Sequence, residues 1–327
     1  MTRAALSFAV LGMFFCCSSW AQERAPLMLD SKIPLGDVIG RIDHMAIDIA
    51  RHRLFVAELE NDTVGVVDLD AGKVVKIIPD MRKPQGVGYV ASTDTLYVAN
   101  GGDGSVRLFQ GADHVAAGRI YLGDDADNVR VDRAANQVVV SYTGGLGVID
   151  TTRRTKVADI PLRTSPESFQ LDSRSNLIFV NDPAGQAIVV VDRATGMQVR
   201  TWSTGNGRNV PMAINEASDH VLVAFRNPAK LGVFAMPNGA PVTNVDTCSD
   251  ADDMFVDAKR NRVYVSCGDG FLDVFDAQAG AYQRLARIAT VRGARTSLYV
   301  PELDRLFVAV RTTSEEPAAI WVFRPTP

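Results

Sequence analysis

A short apolar triplet recurs seven times along this chain, and it constrains the fold more than any other feature. It reads Leu54-Phe55-Val56, Leu96-Tyr97-Val98, Val138-Val139-Val140, Ile178-Phe179-Val180, Val221-Leu222-Val223, Val263-Tyr264-Val265 and Leu306-Phe307-Val308, at spacings of 42, 42, 40, 43, 42 and 43 residues. The repeats share one internal plan. Six residues before the triplet stands Asp48, Asp132, Asp172, Asn215 or Asp257, with Val90 and Val300 in the second and seventh repeats. About ten residues after the triplet begins comes a strand that often ends in Asp, as in VGVVDLD (64–70), LGVID (146–150), AIVVVD (187–192) and LDVFD (272–276). A turn such as Ala71-Gly72 or Thr195-Gly196 follows, and then a fourth apolar run such as KVVKII (73–78). Four short strands with polar turns, repeated at this period, make the blade of a β-propeller. Continuous helical periodicity is absent. The expected fold is therefore all-β, a seven-bladed β-propeller with four-stranded antiparallel blades.

The closure of the ring is legible too. The seventh repeat supplies strands at 297–300, 305–310 and 319–323 but no fourth one. The segment LMLDSKIPL (27–35) reads as a strand that precedes the first repeat. It is expected to fill the vacancy in the last blade, which removes an exposed sheet edge.

Residues 1–21, MTRAALSFAVLGMFFCCSSWA, have a positive start at Arg3, an apolar stretch and small residues at Ser19 and Ala21. That is the pattern of a secretory signal peptide, so 22–327 is expected to be one propeller domain, periplasmic or secreted. Losing Arg3 takes the net charge from −4 to −5. No apolar run reaches the roughly 18 residues of a spanning helix, so no membrane span is expected after cleavage. Cys248 and Cys267 are then the two remaining cysteines, an even pair in an oxidising compartment, and they are expected to form a disulfide. CxxC and CxxCH motifs are absent, so neither a thioredoxin-like site nor covalent haem is indicated. With 34 Lys+Arg against 38 Asp+Glu, the chain lacks the basic excess of a general nucleic-acid binder.

The segments RHRLFVAELENDTVGVVDL (51–69), TDTLYVANGGDGSVRLF (93–109) and NRVYVSCGDGFLDVFD (261–276) resemble the YVTN-type, YncE-like β-propellers of bacterial periplasms. The resemblance covers almost all of the chain after the leader. It implies an exported propeller acting as a scaffold or ligand binder. Some relatives are labelled gluconolactonase-like, which implies a metal-assisted hydrolase as the alternative.

Propeller topology sorts the loops onto two faces. Loops entering the inner strands carry Asp43 and His44, Gln85, Asp127 and Asn128, Glu167 and Ser168, Arg208 and Asn209, Asp252 and Asp253, and Arg295 and Thr296. Loops after the second strands carry Glu58 and Glu60, Asn100, Tyr142, Asp182, Arg226 and Asn227, and Arg311. These share one face and are expected to converge on the central channel. Such polarity is what a hydrated channel mouth requires in any case. It also suits a ligand. The acidic members come mainly from the early and sixth repeats and the arginines from the fifth and seventh, so the expected site is acidic on one side and basic on the other. That would take a zwitterionic or polar organic ligand, or a periplasmic partner protein, on a monomeric propeller. In the hydrolase alternative a divalent cation (Ca²⁺ or Zn²⁺) would be held by Glu58, Asn128, Glu167 and Asp253. His44, beside Asp43, is the candidate general base, or else simply a hydrogen-bonding group of the channel.

Overall fold

The computed structural model describes residues 25–327. The signal peptide expected over 1–21 lies outside them. The triplets sit at the centres of seven strands: Arg53–Glu58, Thr95–Asn100, Gln137–Tyr142, Leu177–Asp182, His220–Asn227, Arg262–Cys267 and Arg305–Val310. Their three consecutive residues are buried because each of these strands is covered on both faces by neighbouring blades. A strand sandwiched in this way reads as an apolar run rather than an alternation. Each is the second strand of a four-stranded antiparallel sheet, and there are seven such sheets. Blades one to six follow chain order from inner to outer strand. In all seven blades a register shift interrupts the pairing of the third strand with the outer one, as between Val66 and Val67. Such bulges increase the local twist.

The seventh blade is closed as expected. The strand Leu27–Pro34 pairs antiparallel with Ala319–Pro325, from Leu27 opposite Pro325 to Pro34 opposite Ala319. It is the outer strand of the sheet whose inner strand is Ser297–Val300. Cys248 and Cys267 form the expected disulfide, with Cα atoms 5.8 Å apart. A bulge between Ala251 and Asp253 places Ala251, rather than Asp253, opposite Cys267. The cystine therefore ties the loop carrying the acidic run 250–253 to the end of the second strand. No helix among the described residues is long and apolar enough to cross a membrane.

The Asp that precedes four of the triplets has a structural purpose. Asp48 Oδ1 accepts from the amides of Ala50 (3.0 Å) and Arg51 (3.3 Å), and Asp257 Oδ1 from that of Arg260 (3.2 Å). Asp132 and Asp172 cap their turns in the same way. In three blades an arginine then reaches the next one: Arg51 to Asp94, Arg174 to Asp219 and Arg260 to Asp304. The repeat signature is a turn cap that doubles as an inter-blade clasp.

Candidate functional site

The inner strands surround a central channel of about 520 Å³. Counted back from the triplets, the residues ten positions earlier are His44, Gly86, Asn128, Ser168, Pro211, Asp253 and Thr296, where each chain segment enters its inner strand. Those eight positions earlier are Ala46, Gly88, Arg130, Gln170, Ala213, Phe255 and Leu298, and all seven line the channel. The first ring forms the mouth and the second lies deeper.

At the mouth, blades one, three and six bring their charges together. His44 Nδ1 lies 3.3 Å from Asp253 Oδ2, and its Nε2 lies 3.7 Å from Asp43 Oδ1. Asp253 Oδ2 is fixed in turn by the Ser297 amide at 2.8 Å. Asp43 is buried and sits 2.7 Å from Arg41, yet that pair is not aligned as a hydrogen bond and neither carboxylate oxygen receives one. Burial works against a charge on His44, but Asp253, Asp43 and Asp127 outweigh it and the imidazole is pushed up to about 10. Burial also drives the Asp127 carboxyl well above the usual range; His44 opposes this, and Asp43 and Glu167 add to it.

An imidazolium has no lone pair to accept a proton, so His44 does not fit the role of general base at neutral pH. Its charge predicts a pH dependence. The folded value of about 10 stands above the ordinary 6.5, so the His44 contribution to stability is complete below pH 6.5 and is lost as the pH rises toward 10. Thermal midpoints measured across that window should fall with pH, and His44→Gln should flatten the slope. Equal slopes for the two proteins would show that His44 is uncharged.

The expected division into an acidic side and a basic side is corrected by the ring itself. Blades five and seven flank blade six, so their arginines close on its acidic loop. Arg226 contacts Asp252 and sits 3.2 Å from Asp250. Arg295 is 3.0 Å from Asp250 and 2.9 Å from Asp252. Two guanidinium groups and two carboxylates thus neutralise one another. Burial pushes Asp252 up to about 6 in spite of Arg295 and Arg226.

Other residues expected to converge are committed elsewhere. Buried Glu58 accepts the Thr63 hydroxyl of its own turn and lies against Gly65, and burial raises its carboxyl. Asn100 accepts the Arg82 amide at 2.8 Å and donates to the carbonyls of Val98 and Ser105. Asn128 donates to the Glu167 carbonyl at 2.6 Å. Tyr142 packs over Gly123 and reaches Asp159 at 3.3 Å. Arg311 lies along Gly293, while Glu167 and Arg208 are exposed.

Glu58, Asn128, Glu167 and Asp253 are therefore not assembled into one ligand set, and they do not fit a divalent cation. Among the described residues, the one group of three candidate ligand atoms lying within 4.8 Å of one another is Cys248, Cys267 and Asp269. Its two sulfurs are bonded to each other and cannot ligate.

The residue that loop counting misses is Arg130. It sits inside an inner strand, Val129–Asp132, where the other blades place Ala46, Gly88, Gln170, Ala213, Phe255 and Leu298. Stacking the seven repeats on their triplets would have exposed it as the one charged member of that ring.

No protein-family model matches the sequence, and neither does any curated protein. Solved structures do. A chain of Kuenenia stuttgartiensis hydrazine synthase is similar at a TM-score of 0.77 and 15% identity, over 89% of this chain and 97% of that one. A chain of a mitotic checkpoint complex is similar at a TM-score of 0.79 and 13% identity, over 100% of both. At such identities the likeness establishes the propeller fold and nothing about activity.

Proposed function

We propose that this chain is an exported, non-catalytic β-propeller that binds a small polar ligand at the mouth of its central channel. One observation carries the reading: His44 and Asp253, from two separate blades, meet on the wall of a channel of about 520 Å³, with buried Asp43 behind the imidazole. A mouth needed only for hydration has no reason to set a buried imidazole between two acidic side chains at one point of its wall. Asp253, which lines the channel, has one carboxylate oxygen held by the Ser297 amide and His44, and its other oxygen is the acceptor a ligand donor would use. The leader-like first residues and the cystine support an exported protein, as the resemblance to periplasmic propellers does.

Thermal midpoints recorded with a panel of polyols, sugars, amines, amino acids and organic acids test this directly. A ligand that binds only the folded state raises the midpoint, by about 2.7 kcal/mol of stability at a hundredfold excess over Kd. At least one class should do so, and Asp253→Asn should remove the effect while leaving the ligand-free protein folded. A flat panel at millimolar concentration, or a shift indifferent to Asp253, would sink the proposal.

A further inference from the structure

The arginines of the mouth and Arg130, midway along the channel, differ in one respect. Arg41, Arg226 and Arg295 each contact a carboxylate. Arg130 does not. Its one hydrogen bond among the described residues runs from Nη1 to the neighbouring Val129 carbonyl at 3.0 Å. Its guanidinium carbon stands 5.6 Å from the centre of the Phe169 ring, which supports the cation from one side. Asp253 and Asp127 act on it only through space, and burial disfavours its charge. A guanidinium has five N–H donors in a planar fork, so most of its hydrogen-bonding capacity is unused.

Its surroundings narrow what could use that capacity. Of the seven residues at its level, Ala46, Gly88, Ala213, Phe255 and Leu298 offer no polar side-chain atom. Gln170 is the other polar one, and its Nε2 is spent on the Met212 carbonyl at 2.8 Å. At this level a bound group thus meets one cation in a largely apolar collar, the exposed Arg133 lying further along the same channel with Glu216. The fork geometry matches a carboxylate, which can accept two parallel N–H bonds. The mouth above does not repel such an anion strongly. His44 is charged and offsets Asp253, and burial holds Asp127 toward its neutral form.

We propose that Arg130 is a carboxylate-binding subsite in the middle of the channel, and that the ligand is a small organic acid whose apolar body lies against Phe255 and Leu298. This rests on the mouth-binding reading and gives it a ligand class. It does not depend on Arg208, Arg226, Arg295 or Arg311, the residues to which loop position alone would assign an anion.

Calorimetric titration of the purified protein with benzoate, hexanoate, benzamide, benzylamine and inorganic phosphate tests it. The two carboxylates should bind. Benzamide, equal in shape to benzoate but uncharged, should bind roughly ten- to a hundredfold more weakly, the worth of a charge-assisted hydrogen bond or two. Arg130→Gln should lower benzoate affinity by the same factor and leave benzamide unaffected. Arg130→Met, which extends the apolar collar, gives a second variant should the first fail to fold. Equal binding of benzoate and benzamide overturns the proposal, as does undiminished benzoate binding by either variant. Tighter binding of phosphate than of either carboxylate overturns the ligand class. If polyols or benzylamine bind through Asp253 and no carboxylate does, this inference fails while the mouth reading stands. If nothing on either panel binds, both fail.

Discussion

A chain that begins at Gly36, lacking the closing strand, is expected not to fold cooperatively. The strand Leu27–Pro34 and the residue after it reach two inter-blade cores at once. Leu27 packs with Tyr264, Tyr299, Trp321 and Phe323, between blades six and seven. Ile33 and Leu35 pack with Leu54, Val56, Phe307 and Ile320, between blades seven and one. Losing a buried aliphatic side chain typically costs about 2–5 kcal/mol, so the three together cost on the order of 6–15. That equals the whole stability of an ordinary domain, roughly 5–15 kcal/mol. The deletion also strips a backbone ladder from Ala319–Pro325 and leaves it as an open edge, which invites aggregation. The expected result is a protein that scatters light and shows no sharp melting transition. A synthetic peptide of residues 25–36 should restore the transition by adding a strand in trans. A truncated chain that melts within a few degrees of the full one would show that the ring closes without its clasp.

The same strand illustrates which features the sequence discloses. Ring architecture is written in burial, and burial writes itself as composition. A strand covered on both faces must be apolar at every position, so Leu54-Phe55-Val56 and its six counterparts stand out. The disulfide was legible as well, because the expected leader contains the other two cysteines and Cys248 and Cys267 are then the only pair. Its register was not. The bulge at Ala251–Asp253 inserts a residue that no strand pattern announces.

The site was legible as a set of loops and illegible as a set of partners. Counting from the triplets places His44 and Asp253 on one ring, and the structure joins them at 3.3 Å. Counting cannot foresee that neutralisation is decided between adjacent blades. Arg226 and Arg295 were expected to form the basic side of the mouth, yet they flank the acidic loop of blade six and pair with it. Glu58 and Asn100 fail for a more local reason. The turns after their strands are tight, and a carboxylate or amide there reaches its own turn before it reaches the channel. Arg130 escaped notice because it lies on a strand, where a charge is read as facing solvent. In a propeller the inner strand faces a channel, and one charged member among seven equivalent positions carries information only when the repeats are stacked.

Asp257→Ala is expected to be the most damaging single substitution on the opposite face, costing about 3–5 kcal/mol, the usual penalty for removing one partner of a buried ion pair. The carboxylate is fully buried and makes three kinds of contact. Oδ1 caps the turn through the Arg260 amide. Oδ2 receives Arg260 Nη1 at 3.0 Å and the Tyr264 hydroxyl at 2.7 Å. Arg260 in turn grips Asp304 of the next blade with two bonds of 2.7 Å. Removing Asp257 leaves Tyr264 without its acceptor, and burial raises that hydroxyl far above its ordinary range even in the intact protein. It also leaves Arg260, almost wholly covered, with half its charge partner gone. Asp257→Asn should cost less, since its single amide oxygen can still serve one of the two positions, either the turn cap or the acceptor for Tyr264. Asp304→Ala should cost less again, because that carboxylate is partly exposed and water can replace it. Denaturant midpoints for the three variants should therefore fall in the order Asp304→Ala, Asp257→Asn, Asp257→Ala, the last lying furthest below the parent. An Asp257→Ala protein within about 1 kcal/mol of the parent, the scale of an exposed pair, would reduce the repeated Asp to a turn preference and refute the inter-blade clasp.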